Sequence, residues 1–537
     1  MTIGSYTPEE AISSIATALA PAALGIVRLS GKNCIELVSK VFSRPKALLA
    51  APGNTLVYGW IQEGGGSPPL AATAADASFS ATLPAGTPRN APVENESANK
   101  MSASRSEGDK SCAVHKNNVR RFTTRLDEVM LAVYRAPKSF TGEDMVEIFC
   151  HGGPAVVTAI QTLMLKSGFR QALRGEYTFR AYINGKTDLT KAEAVKEIID
   201  SYTDAGRSRA AGRLSGSLFE EIDSIKKLIV DTLAAIEVEI EYPEDEETIA
   251  DTFDRKDIEL ARDRLQTLAD SWKGEKLYQD GARVVLAGRT NAGKSSLFNA
   301  ILKEERAIVS DIEGTTRDWL ESWASINGIP VRLFDTAGLR QTDDVIEAQG
   351  VELSRNLASD ADVVLYLIDS TTKPTPEDEE FIKNCKEPLI VVWTKSDKVE
   401  NGVLGAAPLG ERVAENDATA AVEARESPLP PSVLQVQISS KTGTGIPLLF
   451  AQIAKILTSG LTTDREQAGL GSARQRDSVA EALENVKHAL ISADDNYTLD
   501  AVVQDLEEAL DCLGEVTGDV TPDDVLGSIF ANFCVGK

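Results

Sequence analysis

The chain has 537 residues, of which 42% are hydrophobic and 26% charged. That composition excludes a wholly disordered chain and, at roughly 150 residues per domain, leaves room for three or four folded units. Lys and Arg number 56 against 81 Asp and Glu, and the net charge of −25 excludes tight nonspecific binding of a phosphate backbone by the whole molecule.

A local basic patch or a basic partner could still bring RNA in. The six cysteines, Cys34, Cys112, Cys150, Cys385, Cys512 and Cys534, form no C-x-x-C pair and read as thiols of a reducing compartment. Three histidines, His115, His151 and His488, are too few for a His-rich metal centre. Glu9 and Glu10 stand where a secretory leader would carry Lys or Arg, and Pro21 interrupts the mildly apolar Ala11 to Val27. A cytoplasmic protein without a membrane span is expected.

In chain order, Gly25 to Gly31 reads as a strand, followed by a short amphipathic helix through Ile35, Val38 and Phe42. Gly64 to Arg120 is rich in Ala, Ser, Pro, Gly and Asn without apolar periodicity, which predicts a disordered insert. Glu128 to Ala136 and Met145 to Gly153 read as strands and Ala155 to Lys166 as a helix, completing a compact α/β domain. Thr190 with Glu193 fits a capping box, and helical spacing runs through Ile222, Ile225, Ile229, Leu233 and Ile236 to the breaker Tyr242-Pro243.

Helical spacing returns at Val479, Leu483, Val486 and Leu490, then at Leu499, Val502, Leu506 and Leu510. Thr521 and Pro522 predict the start of a last helix with Val525, Ile529 and Phe530 as its apolar face. The two helical regions each need a partner for an apolar stripe, and packing on each other makes one helical domain from two segments. Between them, RVVLAG, VRLFD, VVLYLID, LIVVW and VLQVQI read as buried parallel strands, with a second biased insert at Val403 to Pro431. The expected boundaries are 1–187, 188–278 with 459–537, and 279–458. The fold expected is an α/β nucleotide-binding domain inserted into an α-helical domain, preceded by the N-terminal domain.

The strand Arg283 to Ala287 runs into GRTNAGKS, Gly288 to Ser295, and then a helix. This is G-x-x-x-x-G-K-[ST] in its strand–loop–helix context, where backbone amides of Asn291, Ala292 and Gly293 and the helix start, with Ser296, cradle phosphates. Lys294 would reach the β- and γ-phosphates and the Ser295 hydroxyl would ligate Mg²⁺. GTTRD, with Thr315 and Thr316, offers Thr316 as a second Mg²⁺ hydroxyl. DTAG, from Asp335 through Thr336 and Ala337 to Gly338, puts Asp335 beside the metal and the Gly338 amide near the γ-phosphate. TKSD, Thr394, Lys395, Ser396 and Asp397, ends a strand where Asp397 can pair with the two N–H donors of guanine, selecting GTP over ATP. SSK, Ser439, Ser440 and Lys441, fits the loop that supports the base. Leu339 follows DTAG where Ras-like enzymes carry a water-orienting Gln, and no intrinsic arginine finger is evident.

GRTNAGKSSLFNAI, SDIEGTTRDWLE, DTAGLR, GIVRLSG, SFTGEDMVEIFCHGG, NGKTDLTKAEAV and the terminal CVGK resemble the MnmE (TrmE) family of tRNA-modification GTPases over the whole chain except the two inserts. The resemblance implies a homodimer that, with an FAD-dependent MnmG-type partner in a heterotetramer, adds a carboxymethylaminomethyl or aminomethyl group to C5 of the wobble uridine (U34) of certain tRNAs. It implies an α+β N-terminal domain that dimerises and holds a tetrahydrofolate derivative, 5-formyl- or 5,10-methylene-tetrahydrofolate, through Arg28, Glu147, Lys186 and Lys537. K⁺ would take the arginine-finger role, held by Asn291, Ser310, Ile312 and Thr315, with Glu347 orienting water and Cys534 the family's terminal cysteine. Lys294, Thr316 and Asp335 complete the implied catalytic set. Thr394 stands where the family usually has Asn, and Val535 where it commonly has Ile. A GTP-dependent switch in ribosome or RNA assembly is the alternative, but no RNA-binding module follows SSK.

Overall fold

The computed structural model describes residues 10–63, 124–241, 255–304, 320–335, 360–399, 433–461, 468–494 and 499–537. Both biased inserts, Gly64 to Arg120 and Val403 to Pro431, lie outside the described residues. The chain divides into two units, one running to Arg180 and including Cys534–Lys537, the other spanning Ala181–Phe533.

The first unit contains β1 (Ile12–Ile15), β2 (Leu24–Ser30), α1 (Cys34–Ser39), α2 (Pro45–Ala50), β3 (Thr55–Glu63), β4 (Thr124–Tyr134), β5 (Met145–His151), α3 (Pro154–Lys166) and β6 (Arg170–Gln171), before α4 (Glu176–Ile183) begins. Its six-stranded sheet has the order β3-β4-β5-β2-β1-β6. Strand alternation sorts side chains to two faces. Val27 and Leu29 of β2 and Val146 and Ile148 of β5 pack with Ile35, Val38, Val157 and Ile160. Arg28 and Glu147, paired in register, face the opposite side. The expected helix through Phe42 stops at Ser39. Phe42 instead bridges to Ile61, and its ring fills the space beside Gly59, where any Cβ would come within 2.5 Å of it.

The last four residues pair with this unit. Val535 bridges Arg174, the Gly175 N–H donates to the Cys534 carbonyl at 3.4 Å, and the Tyr177 N–H donates to the Lys537 carbonyl at 3.2 Å. Gly536, at φ 102°, lies so close to Ile15 that an added Cβ would sit 2.8 Å from its carbonyl oxygen. Only glycine suits that backbone.

The second unit opens with α5 (Leu189–Asp200), α6 (Asp204–Ser215), α7 (Ser217–Glu241) and α8 (Arg255–Asp280). A sheet region follows with β7 (Ala282–Gly288), α9 (Lys294–Glu304), β8 (Leu320–Ile326), β9 (Ile329–Asp335), β10 (Val363–Asp369), α10 (Pro376–Asn384), β11 (Leu389–Thr394), β12 (Leu434–Gln437) and α11 (Ile446–Leu457). The chain then returns to helices α12 (Ala473–Asp494), α13 (Leu499–Thr517) and α14 (Asp523–Ala531). Ile222, Ile225, Ile229, Leu233 and Ile236 of α7 share one core with Val479, Leu483, Val486 and Leu490 of α12 and Val502 and Leu506 of α13. The helical domain is thus built from two separated segments around an inserted α/β domain, the fold class expected.

Two expected helix starts differ. Asp188, not Thr190, caps α5: its carboxylate accepts the Lys191 N–H at 2.9 Å, and the Thr190 hydroxyl donates to the same oxygen. Glu193 turns away to meet Arg474 at 2.8 Å. A longer-range ion pair outcompetes the local box. Pro522 occupies the N-cap of α14 and Thr521 makes no capping bond; Leu526 and Phe530 are its buried side chains, with Val525 and Ile529 only partly covered.

The inserted sheet has the order β12-β11-β10-β7-β9-β8, parallel except for the β8–β9 hairpin. That hairpin turns on Asn327 and Gly328, both at positive φ, as a two-residue primed turn requires. Asp280 ends α8 and Ala282 begins β7, so Gly281 alone joins helix to sheet. An added Cβ on Gly281 would meet the Trp323 ring at 2.5 Å, and that ring stacks on Tyr202 at 4.0 Å.

The helices also enclose an ionic cluster. Arg213 donates to Glu197 (Nε to Oε2, 2.8 Å) and to Glu275 (Nη1 to Oε2, 2.8 Å), and Arg209 pairs with the other Glu275 oxygen. Gly469 and Gly471 return the chain from the sheet past these carboxylates, where a Cβ would meet Glu275 at 2.7 Å and Glu197 at 2.0 Å.

Candidate functional site

The phosphate-loop sequence leaves β7 through Gly288, at φ 133°, where a Cβ would strike the Leu367 carbonyl at 2.5 Å. Asn291 (φ 64°) and Gly293 (φ 97°) then take left-handed backbone and turn the loop into α9 at Lys294. Such a turn aims successive amides inward, with the helix start adding positive potential. Lys294, 8% exposed, donates to the Gly288 and Arg289 carbonyls, each at 2.8 Å. The Ser295 hydroxyl donates to Asp335 Oδ2 at 3.0 Å from the end of the neighbouring β9. A hydroxyl beside a buried carboxylate is the hard oxygen pair that suits Mg²⁺.

At the ends of β10 and β11 a second loop meets the first. The Thr394 hydroxyl donates to the Ala292 carbonyl at 2.6 Å, with the Ile368 carbonyl at 3.3 Å. Lys395 Nζ donates to the Asn291 carbonyl at 2.8 Å and to Asp369 Oδ2 at 2.6 Å. Asp397 is exposed and accepts the Ser439 hydroxyl at 2.7 Å. That bond, with Lys441 and Lys398 nearby, holds its carboxyl below the usual range. A carboxylate that stays ionised and faces outward can accept two N–H donors from a base edge. Ser296 and Lys441 are exposed and Ser440 half-buried.

Ser310, Ile312, Thr315, Thr316, Thr336, Ala337, Gly338 and Glu347 lie outside the described residues. The remaining nucleotide-site candidates, Asn291 to Ser296, Asp335, Thr394, Lys395, Asp397 and Ser439 to Lys441, all sit at one end of the parallel sheet, where ligands of open α/β sheets bind. Asp369 did not stand out in the sequence, one carboxylate among many.

The first unit brings together a different group. Arg28 Nε donates to Glu147 Oε1 at 2.7 Å and Arg28 Nη1 donates to the Gly536 carbonyl at 2.7 Å. The Tyr177 hydroxyl donates to the Arg28 carbonyl at 2.7 Å, and the guanidinium carbon lies 5.7 Å from that ring. Burial, then the charge of Arg28, lowers the Lys537 ammonium below its usual range. Tyr134 is pushed up by burial and by Glu147. Neither tyrosine was among the sequence candidates. Lys186 belongs to the other unit, in the turn after α4, where its N–H donates to the Ala181 carbonyl at 2.8 Å. Cys534 is exposed.

Comparison with known proteins covers both units in sequence. A family described as the MnmE helical domain matches residues 189–534, and one described as the GTP-binding protein TrmE N-terminus matches residues 90–186. The chain is 45% identical to the tRNA modification GTPase MnmE of Treponema denticola, covering 100% of both chains. It is 39% identical to that of Treponema pallidum and 36% to that of Borrelia turicatae, with 99% of each chain covered. The chain therefore belongs to the MnmE family, and it is a GTP-hydrolysing enzyme.

Proposed function

We propose that this GTPase acts in tRNA modification as a K⁺-activated, Mg²⁺-dependent enzyme, adding a carboxymethylaminomethyl or aminomethyl group to C5 of the wobble uridine of certain tRNAs. The observation that carries the nucleotide part is the meeting of the Gly288–Ser295 loop with Thr394–Asp397 at one sheet end. Lys294 would exchange its two loop carbonyls for β- and γ-phosphate oxygens, a trade of neutral acceptors for charged ones. Ser295, with Thr316, would ligate Mg²⁺, and Asp335 would accept from that shell. Asn291, Ser310, Ile312 and Thr315 would hold K⁺, whose fixed charge offsets charge developing in the transition state. Glu347 would orient the attacking water, with the Thr336–Gly338 segment at the γ-phosphate.

In the first unit, Arg28, Glu147 and Lys537 would bind a tetrahydrofolate derivative, with Lys186 supplied from beyond α4. A carboxylate reads the donor edge of a pterin, while Arg and Lys hold glutamate carboxylates. The support is that Arg28 joins Glu147 to the Gly536 carbonyl in one group. Cys534 takes part in that chemistry. A homodimer with an MnmG-type, FAD-carrying partner would bring in the tRNA, consistent with the acidic charge of this chain. The domain boundaries proposed are 1–187, 188–278 with 459–537, and 279–458. A cytoplasmic location fits the scattered thiols; among the described residues no helix is long and apolar enough to cross a membrane.

The test is nucleoside analysis of tRNA from cells lacking the protein, with GTP hydrolysis measured in KCl and NaCl at equal ionic strength. Loss of the C5-modified wobble uridine and faster turnover in KCl are expected. An unchanged nucleoside profile overturns the tRNA assignment, and equal rates in the two salts overturn the K⁺ assignment.

A further inference from the structure

A phosphate loop whose amides face the ligand must leave its carbonyls facing the protein, and each then needs a donor to keep its peptide plane fixed. Here Thr394 serves Ala292 and Lys395 serves Asn291, while Lys294 serves Gly288 and Arg289 only until it turns to a phosphate. Lys395 is itself at φ 57°, a backbone state that costs a non-glycine residue about 1 kcal/mol and needs outside contacts to persist. Those contacts come from its ammonium, which bridges the Asn291 carbonyl and Asp369.

Asp369 is well prepared for this. It ends β10 opposite Thr394 in register. Its other oxygen, Oδ1, accepts the Thr371 N–H at 3.0 Å and the Thr371 hydroxyl at 2.7 Å, which fixes the carboxylate and leaves Oδ2 for the ammonium. Burial opposes its ionisation, but the bonds from Lys395 and Thr371 outweigh it, and the group stays charged. A negative charge near a polyphosphate site works against binding through its field alone. Its presence calls for another role.

We propose that Asp369 is a positioning residue for guanine-nucleotide binding: through Lys395 it clasps the Thr394–Asp397 loop to the phosphate loop and slows nucleotide release. The inference rests on the reading of Thr394–Asp397 as the base-binding loop. Asp369 touches no reacting atom, so its loss should appear in affinity and KM, not in the bond-breaking step.

The experiment uses the full-length protein with Mg²⁺, following release of a fluorescent GDP by stopped flow alongside steady-state GTP hydrolysis. Asp369→Asn should speed release and raise KM by about tenfold, the loss of one charge-assisted bond, with kcat changed by less than about twofold. Asp369→Glu should recover most of the difference. Slower release would mean that the carboxylate acts only through its field, and unchanged release that it acts only within its own strand; either overturns the proposal. Should Asp369→Asn fail to fold, Thr371→Val, which loosens the carboxylate, should speed release by about threefold, and no change there also overturns it. Asp397→Asn is measured in parallel: unaltered preference for guanine over xanthine nucleotides would overturn the base-loop reading itself, whatever Asp369 does.

Discussion

Arg213, with its side chain 3% exposed, holds two carboxylates between α5, α6 and α8, whereas Lys395, 29% exposed, holds one carboxylate and one carbonyl between two loops. Both fasten segments distant in sequence, but the surroundings assign them different work. In the helices the charges have left water, so each depends on its partners and removal of one strands the others. At the sheet end, solvent can take over for a lost partner, and what is lost is position. Buried charge here joins helices; half-exposed charge joins two loops.

The strongest way to break that contrast is Arg213→Ala, which leaves Glu197 and Glu275 without their shared cation. A stability loss of about 3–5 kcal/mol is expected in urea titrations, with GDP release from the folded protein unaltered. If release accelerates as well, the two clusters are not separate. The pH dependence of the same cluster comes next. Burial, opposed by Arg213 and reinforced by Glu193 and Glu275, lifts the Glu197 carboxyl from 4.5 to about 7. The folded protein keeps a proton that the unfolded chain releases near 4.5, so this contribution is complete below that pH and lost as the pH rises through about 7. Urea midpoints should therefore decline over that window in the native protein and decline less in Glu197→Gln; parallel curves would refute the assignment.

Thr394→Val sharpens the other side. It keeps the shape but removes the hydroxyl from the Ala292 carbonyl, and nucleotide affinity should drop by about 1 kcal/mol, read by titration with GDP. The smallest effect is expected at Lys226, whose partner Asp519 is 59% exposed. Lys226→Ala should cost less than about 1 kcal/mol of stability and leave nucleotide binding alone.

Much of this was legible beforehand, and the limits are instructive. Period-3.6 stripes and β-branched runs located α7, α12, α13 and the parallel strands, because those signals come from burial along one element. The antiparallel β8 escaped, although Asn327-Gly328 announces a hairpin. Thr190 and Glu193 form no capping box at α5 because Glu193 has a better partner in Arg474, 281 positions away. Asp369 escaped for the same reason: its meaning lies in Lys395, 26 positions on, and in the Asn291 carbonyl, 104 positions before that lysine. Motifs mark the groups that touch a ligand, while the residues that aim those groups are written in contacts. Tyr134 and Tyr177, beside Arg28 and Glu147, escaped in the same way, since only contacts bring them there.

The joint at Gly281 gives the nucleotide sheet a handle. Helix α8 has 26 residues, and at 1.5 Å per residue it is a rod about 39 Å long. One glycine separates that rod from the strand that carries the phosphate loop, and the Trp323 ring, stacked on Tyr202, fills the space around it. With so little slack, a tilt of about 5° at the sheet would sweep the far end of the rod by about 3 Å, roughly two residues of helical rise.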